Sequence, residues 1–256
     1  MVEGNKSNNY EKLEELTTLT GELAHEIKNP LSTIKINLRL IDEDLQDARV
    51  GHRDSDGLER NSDKLSRAMR KIAVVQKETD RLEQILDGFL RYVGKPELQL
   101  VNVDINELVG DMVDFYSAQA HSHAITIRQA LSAQPLICKV DAGMLKQVIL
   151  NLFLNAQQAM ENGGELMIRT SRQENLAVLQ ITDTGKGIPP ERLRSLFKPY
   201  QSLRRGGTGL GLVTAKKIVE SHNGSIEVYT ESGRGASFTI KLPLVVDKTN
   251  TGEAGT

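Results

Sequence analysis

Residues 147–160 read QVILNLFLNAQQAM. Val148, Ile149, Leu150, Leu152, Phe153 and Leu154 make this a strongly apolar helix, and two asparagines interrupt it. Asn151 and Asn155 are four residues apart, so they share one helical face. A buried amide without a partner is costly. Both side chains therefore need something to bond: neighbours within a core, or a ligand. An amide oxygen also suits Mg²⁺, which keeps several waters and shares phosphate oxygens.

The flanks of this helix, which spans 142–160, set the architecture. Upstream, 104–120 reads as a helix, and 124–131 (AITIRQAL) and 135–141 (PLICKVD) read as strands. Downstream, 164–173 (GELMIRTSRQ) and 176–183 (LAVLQITD) are strands around a polar turn at Asn175. Residues 225–232 and 235–244 close as a hairpin across GRG. Strands and helices mix, and neighbouring strands are joined by short turns. The expectation is an α+β layered sandwich.

Two glycine-rich segments fall inside it. DTGKGIP (183–189) follows a strand, and GGTGLGL (206–212) feeds a helix that stops at Asn223-Gly224. Either one alone reads as a tight turn. Glycines also let a backbone approach a ligand and present N–H groups, and a helix N-terminus favours an anion. Neither segment has the setting of a dinucleotide fingerprint, and there is no phosphate-loop lysine motif.

The first hundred residues differ. Leu16, Leu19, Leu23, Ile27, Leu31, Ile34, Leu38, Ile41 and Leu45 recur in steps of three and four. They predict a helix from about Glu11 to Val50 with one apolar stripe. VGHRDSDG (50–57) reads as a turn. Leu65, Met69, Ile72, Val75, Thr79, Leu82, Leu86 and Phe89 form a second stripe, ending near Gly94 and Pro96. Two long amphipathic helices make an antiparallel hairpin. One hairpin hides two such stripes poorly, so a homodimeric four-helix bundle is expected. His25 lies off the stripe, about 200° round the helix from Leu23, and should face solvent. Pro30 stands inside the same helix. It lacks an N–H and crowds the carbonyl of Glu26 four residues back, a defect of about 3 kcal/mol.

The 256-residue chain has room for one large domain or two modest ones. A net charge of −2 gives no general attraction to nucleic acid or acidic membranes. A single cysteine, Cys138, excludes an internal disulfide. No apolar run approaches the roughly 20 residues that span a bilayer, and MVEGNKSNNY lacks a signal-peptide core. A soluble, cytoplasmic protein is expected, or the cytoplasmic part of a longer protein.

Taken in order, HEIKNPLSTI (25–34), NLFLNAQQA (151–159), DTGKGIP (183–189), LFKPY (196–200) and GTGLGL (207–212) resemble the H, N, first glycine, F and second glycine boxes of the sensor histidine kinases of two-component signalling. The likeness covers nearly the whole chain. It implies an α+β multidomain protein. Residues 1–96 would be a dimerisation and phosphotransfer hairpin, 97–246 a catalytic ATP-binding domain and 247–256 a disordered tail. The ATP-binding sandwich is the type shared with gyrase, the ninety-kilodalton heat-shock chaperone and mismatch-repair ATPases.

The resemblance also implies roles. His25 would be the phosphoacceptor, Glu26 would take its ring proton, and Asn29, as in the HExxN subgroup, would place a water for dephosphorylating the partner. Asp183 would bond the adenine amino group. Asn155 would hold Mg²⁺ on the phosphates of ATP, with Asn151 beside it. Gly185 and Gly187 would shape the adenine pocket, and Thr208, Gly209, Leu210 and Gly211 would border the triphosphate. Arg204 and Arg205 are candidate phosphate contacts in a short lid, QSLRRGG (201–207). The hydrolytic relatives carry a glutamate at the position of Asn151, and an amide cannot serve as a base for water. The implied partners are a second copy of the chain and the receiver domain of a response regulator, with no direct nucleic-acid or membrane contact. Residues 93–97 are the expected pivot between the domains.

Overall fold

A computed structural model of the chain describes residues 3–50, 55–94, 97–200, 209–231 and 233–245. Arg204, Arg205, Thr208, part of the expected pivot and the tail lie outside the described residues. The chain divides into two compact units, a helical one and a sheet-based one.

The helical unit is a hairpin of α1 (Glu3–Val50) and α2 (Ser55–Val93). Both helices start earlier than the apolar stripes alone suggest. Leu19, Pro30 and Ile41 from α1 and Ala68 and Ile85 from α2 are buried. Among the described residues two ion pairs tie the helices together: Lys71 to Asp44 at 2.6 Å and Arg81 to Glu26 at 3.3 Å. Much of the predicted stripe stays uncovered. Leu31, Leu38, Leu45, Leu65, Met69, Ile72 and Leu86 are each at least 41% exposed.

α1 continues unbroken through Pro30. The local hydrogen bonding is nevertheless altered. The Ser32 hydroxyl donates to the Lys28 carbonyl at 2.8 Å, and the Thr33 hydroxyl donates to the Asn29 carbonyl at 3.3 Å. Together with the missing proline N–H, these back-bonds weaken the helical ladder over one turn.

The sheet unit opens with β1 (Val101–Asp104), then α3 (Ile105–Ser122), β2 (Ile125–Ala130), β3 (Ile137–Val140) and α4 (Ala142–Ala159). It continues with β4 (Gly164–Gln173), β5 (Leu176–Asp183), the short α5 (Pro190–Leu193), α6 (Gly211–Ser221), β6 (Ser225–Glu231) and β7 (Gly235–Pro243). Five strands form one sheet in the order β2-β4-β5-β7-β6, antiparallel except for the β2–β4 pair. β1 and β3 pair separately and antiparallel. The β1 strand and α5 are absent from the sequence expectation; each is only four residues long.

One sheet face is apolar. Leu166 and Ile168 of β4, Leu179 and Ile181 of β5, and Phe238 and Ile240 of β7 are all buried, and they face one another in register. Helices α3, α4 and α6 supply Tyr116, Ile149, Leu152, Phe153 and Val219 to the same core. The Tyr116 and Phe153 rings lie 5.2 Å apart at 41°, a tilted pair.

Aspartates start two of these helices. Asp104 caps α3 by accepting from Asn106 N, and the same oxygen accepts from Leu136 N. Asp141 caps α4 by accepting from Met144 N at 3.1 Å, while its other oxygen accepts from Gln99 N at 3.0 Å. These N–H groups hold the Asp141 carboxyl below its ordinary pKa of 3.8. The cap therefore stabilises fully above the ordinary value and is lost as pH falls through the lowered one. Asp141→Ala is expected to cost about 1 kcal/mol or slightly more, read as a lower melting midpoint at pH 7 and a smaller difference from wild type below pH 3.

Candidate functional site

Strand alternation decides where Asp183 sits. Ala177, Leu179 and Ile181 point into the core, so the next residue in the same phase does too. Asp183 ends β5 opposite Leu166 and is only 4% exposed. Its Oδ1 accepts from Gly185 N at 2.8 Å and from Ala236 N at 3.3 Å. Among the described residues no hydrogen bond reaches Oδ2. Burial raises the carboxyl above its ordinary pKa of 3.8, against the two backbone N–H groups that lower it.

The loop after Asp183 is pinned on both sides. Lys186 N donates to the Ala159 carbonyl at the end of α4, and Gly233 N donates to the Lys186 carbonyl. Ile188 N donates to the Thr230 hydroxyl at 2.9 Å, and that hydroxyl donates to the Gly235 carbonyl at 2.8 Å. Gly187 has φ +68° and packs on the Glu231 carbonyl. Gly235 has φ +94°, and a Cβ there would fall on the carbonyl oxygen of Asp183. Thr230, Gly235 and Ala236 are thus part of the site, although the sequence reading took GRG only as a turn. The signal was a second glycine placed directly before an apolar strand.

α4 brings Asn151 and Asn155 to one face, as their spacing requires. Asn151 Nδ2 donates to the Gly211 carbonyl at 3.3 Å, at the first residue of α6. Asn155 Nδ2 is buried, and among the described residues it has no partner. Gly209, with φ +64°, and buried Leu210 lead directly into α6. Within the sheet unit Asp183 bonds Gly185, the loop through Gly185 and Gly187 packs on the end of α4 and on Glu231, and Asn151 bonds Gly211, with Asn155 one turn along α4.

The remaining predicted residues belong to the hairpin. His25 and Asn29 are exposed on α1, and Glu26 is half-buried. Glu26 Oε2 accepts from Arg81 Nη2 of α2. Among the described residues, no group of three or more His, Cys, Asp or Glu side chains could hold a metal, and no helix is long and apolar enough to cross a membrane.

Residues 15–93 match the model of the His Kinase A (phospho-acceptor) domain. Residues 140–246 match that of the histidine kinase-, DNA gyrase B- and HSP90-like ATPase. The chain belongs to the sensor histidine kinases. It is 33% identical to the sensor histidine kinase ZraS of Escherichia coli K12, over 93% of this chain and 48% of that protein. It is 32% identical to sporulation kinase D of Bacillus subtilis, over 93% of this chain and 44% of that one. The chain thus spans about half the length of the curated relatives it matches. Among solved structures, full-length ShkA in complex with AMPPNP superposes with a TM-score of 0.62 at 26% identity, over 71% of this chain and 40% of that one. Histidine kinase ThkA, solved with response regulator protein TrrA, shares the fold with a TM-score of 0.70 at 24% identity, over 94% of this chain and 66% of that one.

The Gly235 contact gives a local test. Gly233 also has a positive φ, of +81°, but open space around it. Gly233→Ala should cost about 1 kcal/mol from backbone strain alone. Gly235→Ala should cost clearly more, because its Cβ also displaces the Asp183 carbonyl. Comparing the two melting midpoints checks this.

Proposed function

We propose that this chain binds ATP in the sheet unit, phosphorylates His25 of the hairpin, and passes the phosphoryl group to an aspartate of a response-regulator receiver domain. The observation that carries the reading is the buried Asp183, with Oδ1 tied to two backbone N–H groups and, among the described residues, no hydrogen bond to Oδ2. A fixed acceptor flanked by Gly185 and Gly187 suits the amino group of adenine. Gly185 and Gly187 would shape the adenine pocket, and Thr208, Gly209, Leu210 and Gly211 would border the triphosphate.

Asn155 fits a role toward Mg²⁺, since its amide is buried at the site and its nitrogen is not engaged by a protein neighbour. Its oxygen would hold the ion, with Asn151 beside it. When bound, the ion supplies charge neutralisation on the phosphate oxygens.

The transfer itself is an in-line displacement. A neutral imidazole nitrogen of His25 attacks the γ-phosphorus, the N–P bond forms, and the bond to the ADP oxygen breaks. Glu26 takes the proton from the other ring nitrogen as positive charge builds there. Asn151 is an amide bonded to the Gly211 carbonyl, so it offers no base for water. That favours transfer to His25 over hydrolysis.

The exposed apolar stripe supports a homodimeric four-helix bundle. These leucines are about half exposed, so burying the remainder of each is worth about 1 kcal/mol. Asn29, one turn after His25, is assigned to placing water for dephosphorylation of the regulator. Pro30, in the weakened turn beside it, is assigned to bending between kinase and phosphatase poses.

Incubation with γ-labelled ATP and Mg²⁺ should give acid-labile, base-stable label that His25→Gln abolishes; label surviving that change would defeat the assignment. Asn29→Ala should spare the label and reduce phosphatase activity. Asp183 supplies a pH test. Its pKa is raised, so adenine-nucleotide affinity is present above that raised value and is lost as pH falls through it, earlier than for an ordinary aspartate. Titrating a fluorescent ATP analogue between pH 8 and pH 4 checks this, and Asp183→Asn should be weak at every pH.

A further inference from the structure

We infer that Arg81 of α2 is a positioning residue for phosphotransfer, acting through Glu26. This rests on the role proposed for Glu26 above. Residues adjacent in a helix diverge by about 100°, so nothing within α1 alone keeps the Glu26 carboxylate beside the His25 ring. The restraint comes from the other helix. Arg81 Nη2 bonds Glu26 Oε2 at 3.3 Å, and Nη1 lies 3.8 Å from Glu78 Oε2, one turn back on α2. The Arg81 and Glu26 side chains are 24% and 28% exposed, so the pair is neither freely solvated nor sealed.

The arrangement is a poor way to stabilise a hairpin. Arg81 Nε is buried and, among the described residues, has no partner. A buried donor left unpaired costs about 1–3 kcal/mol. Apolar side chains replacing a largely buried ion pair are often neutral or stabilising. The second ion pair of the hairpin, Lys71 with Asp44, carries no such defect: Lys71 also donates to the Leu40 carbonyl. The Arg81 site departs from good packing at the one level of the hairpin where the phosphoacceptor's neighbour stands. The guanidinium meets Glu26 through Nη2 and Glu78 through Nη1, so the planar group is held between two carboxylates and restrains the Glu26 carboxylate from the α2 side.

The test is a double-mutant cycle on the full chain. Autophosphorylation rates are measured for wild type, Arg81→Met, Arg81→Lys, Glu26→Gln and the Glu26→Gln/Arg81→Met double variant, with helix content followed by circular dichroism. Methionine keeps the apolar stem, so the helices should remain. Arg81→Met is expected to lower kcat about tenfold with KM for ATP unchanged. Arg81→Lys should recover part of the loss. In the Glu26→Gln background, Arg81→Met should add nothing.

A wild-type rate for Arg81→Met, a loss that multiplies with that of Glu26→Gln, or a change in KM would overturn the inference. Should Arg81→Met lose its helix, Arg81→Lys in the two backgrounds decides by the same comparison. A wild-type chain that takes no label overturns the kinase reading itself. A labelled wild type with an additive cycle overturns only the role of Arg81.

Discussion

The sheet unit depends on one carboxylate placed where carboxylates are costly. Asp183 continues the inward-facing row of Ala177, Leu179 and Ile181, and strand alternation leaves it no other face. Burial favours its neutral form; the Gly185 and Ala236 N–H groups favour its charged one, and burial outweighs them. The loops on either side conform to this residue. Gly235 must be glycine to pass the Asp183 carbonyl, and the Thr230 hydroxyl ties that hairpin to the backbone at Ile188.

The helical unit follows a different constraint. Among the described residues its two helices meet through few buried side chains and two ion pairs, while nine large apolar side chains remain at least 41% exposed. In the proposed homodimer a second copy would offer the same stripe in return. His25 lies on neither the hairpin seam nor this stripe, which leaves its ring free for chemistry. The turn after it carries Pro30 and two hydroxyl back-bonds, which weaken the helix there.

The parts legible in sequence were those with a strong local period. The stripes of α1 and α2, the apolar run of α4, the β4–β5 pair and the β6–β7 hairpin all declare themselves within a dozen residues. β1 did not, although Leu100, Val101 and Val103 hint at alternation, because its four residues are largely exposed and pair only with β3. The backbone support of Asp183 by Ala236 spans 53 residues of sequence and involves an N–H that any residue but proline carries. No local pattern can announce it. Arg81 was invisible for a similar reason: an arginine on an amphipathic helix reads as a solvated face until its partner 55 residues away is placed beside it.

The account assigns the chain to phosphoryl transfer rather than hydrolysis, on the amide at Asn151 and the exposed imidazole at His25. The most direct measurement is a product balance after a single turnover with ATP and Mg²⁺. Protein-bound phosphoramidate, inorganic phosphate and ADP are quantified together by phosphorus NMR and chromatography at neutral pH. The account predicts ADP matched by phosphoramidate on His25, with little free phosphate formed over the same interval. ADP matched by inorganic phosphate, with no phosphoramidate at any time point, would contradict it.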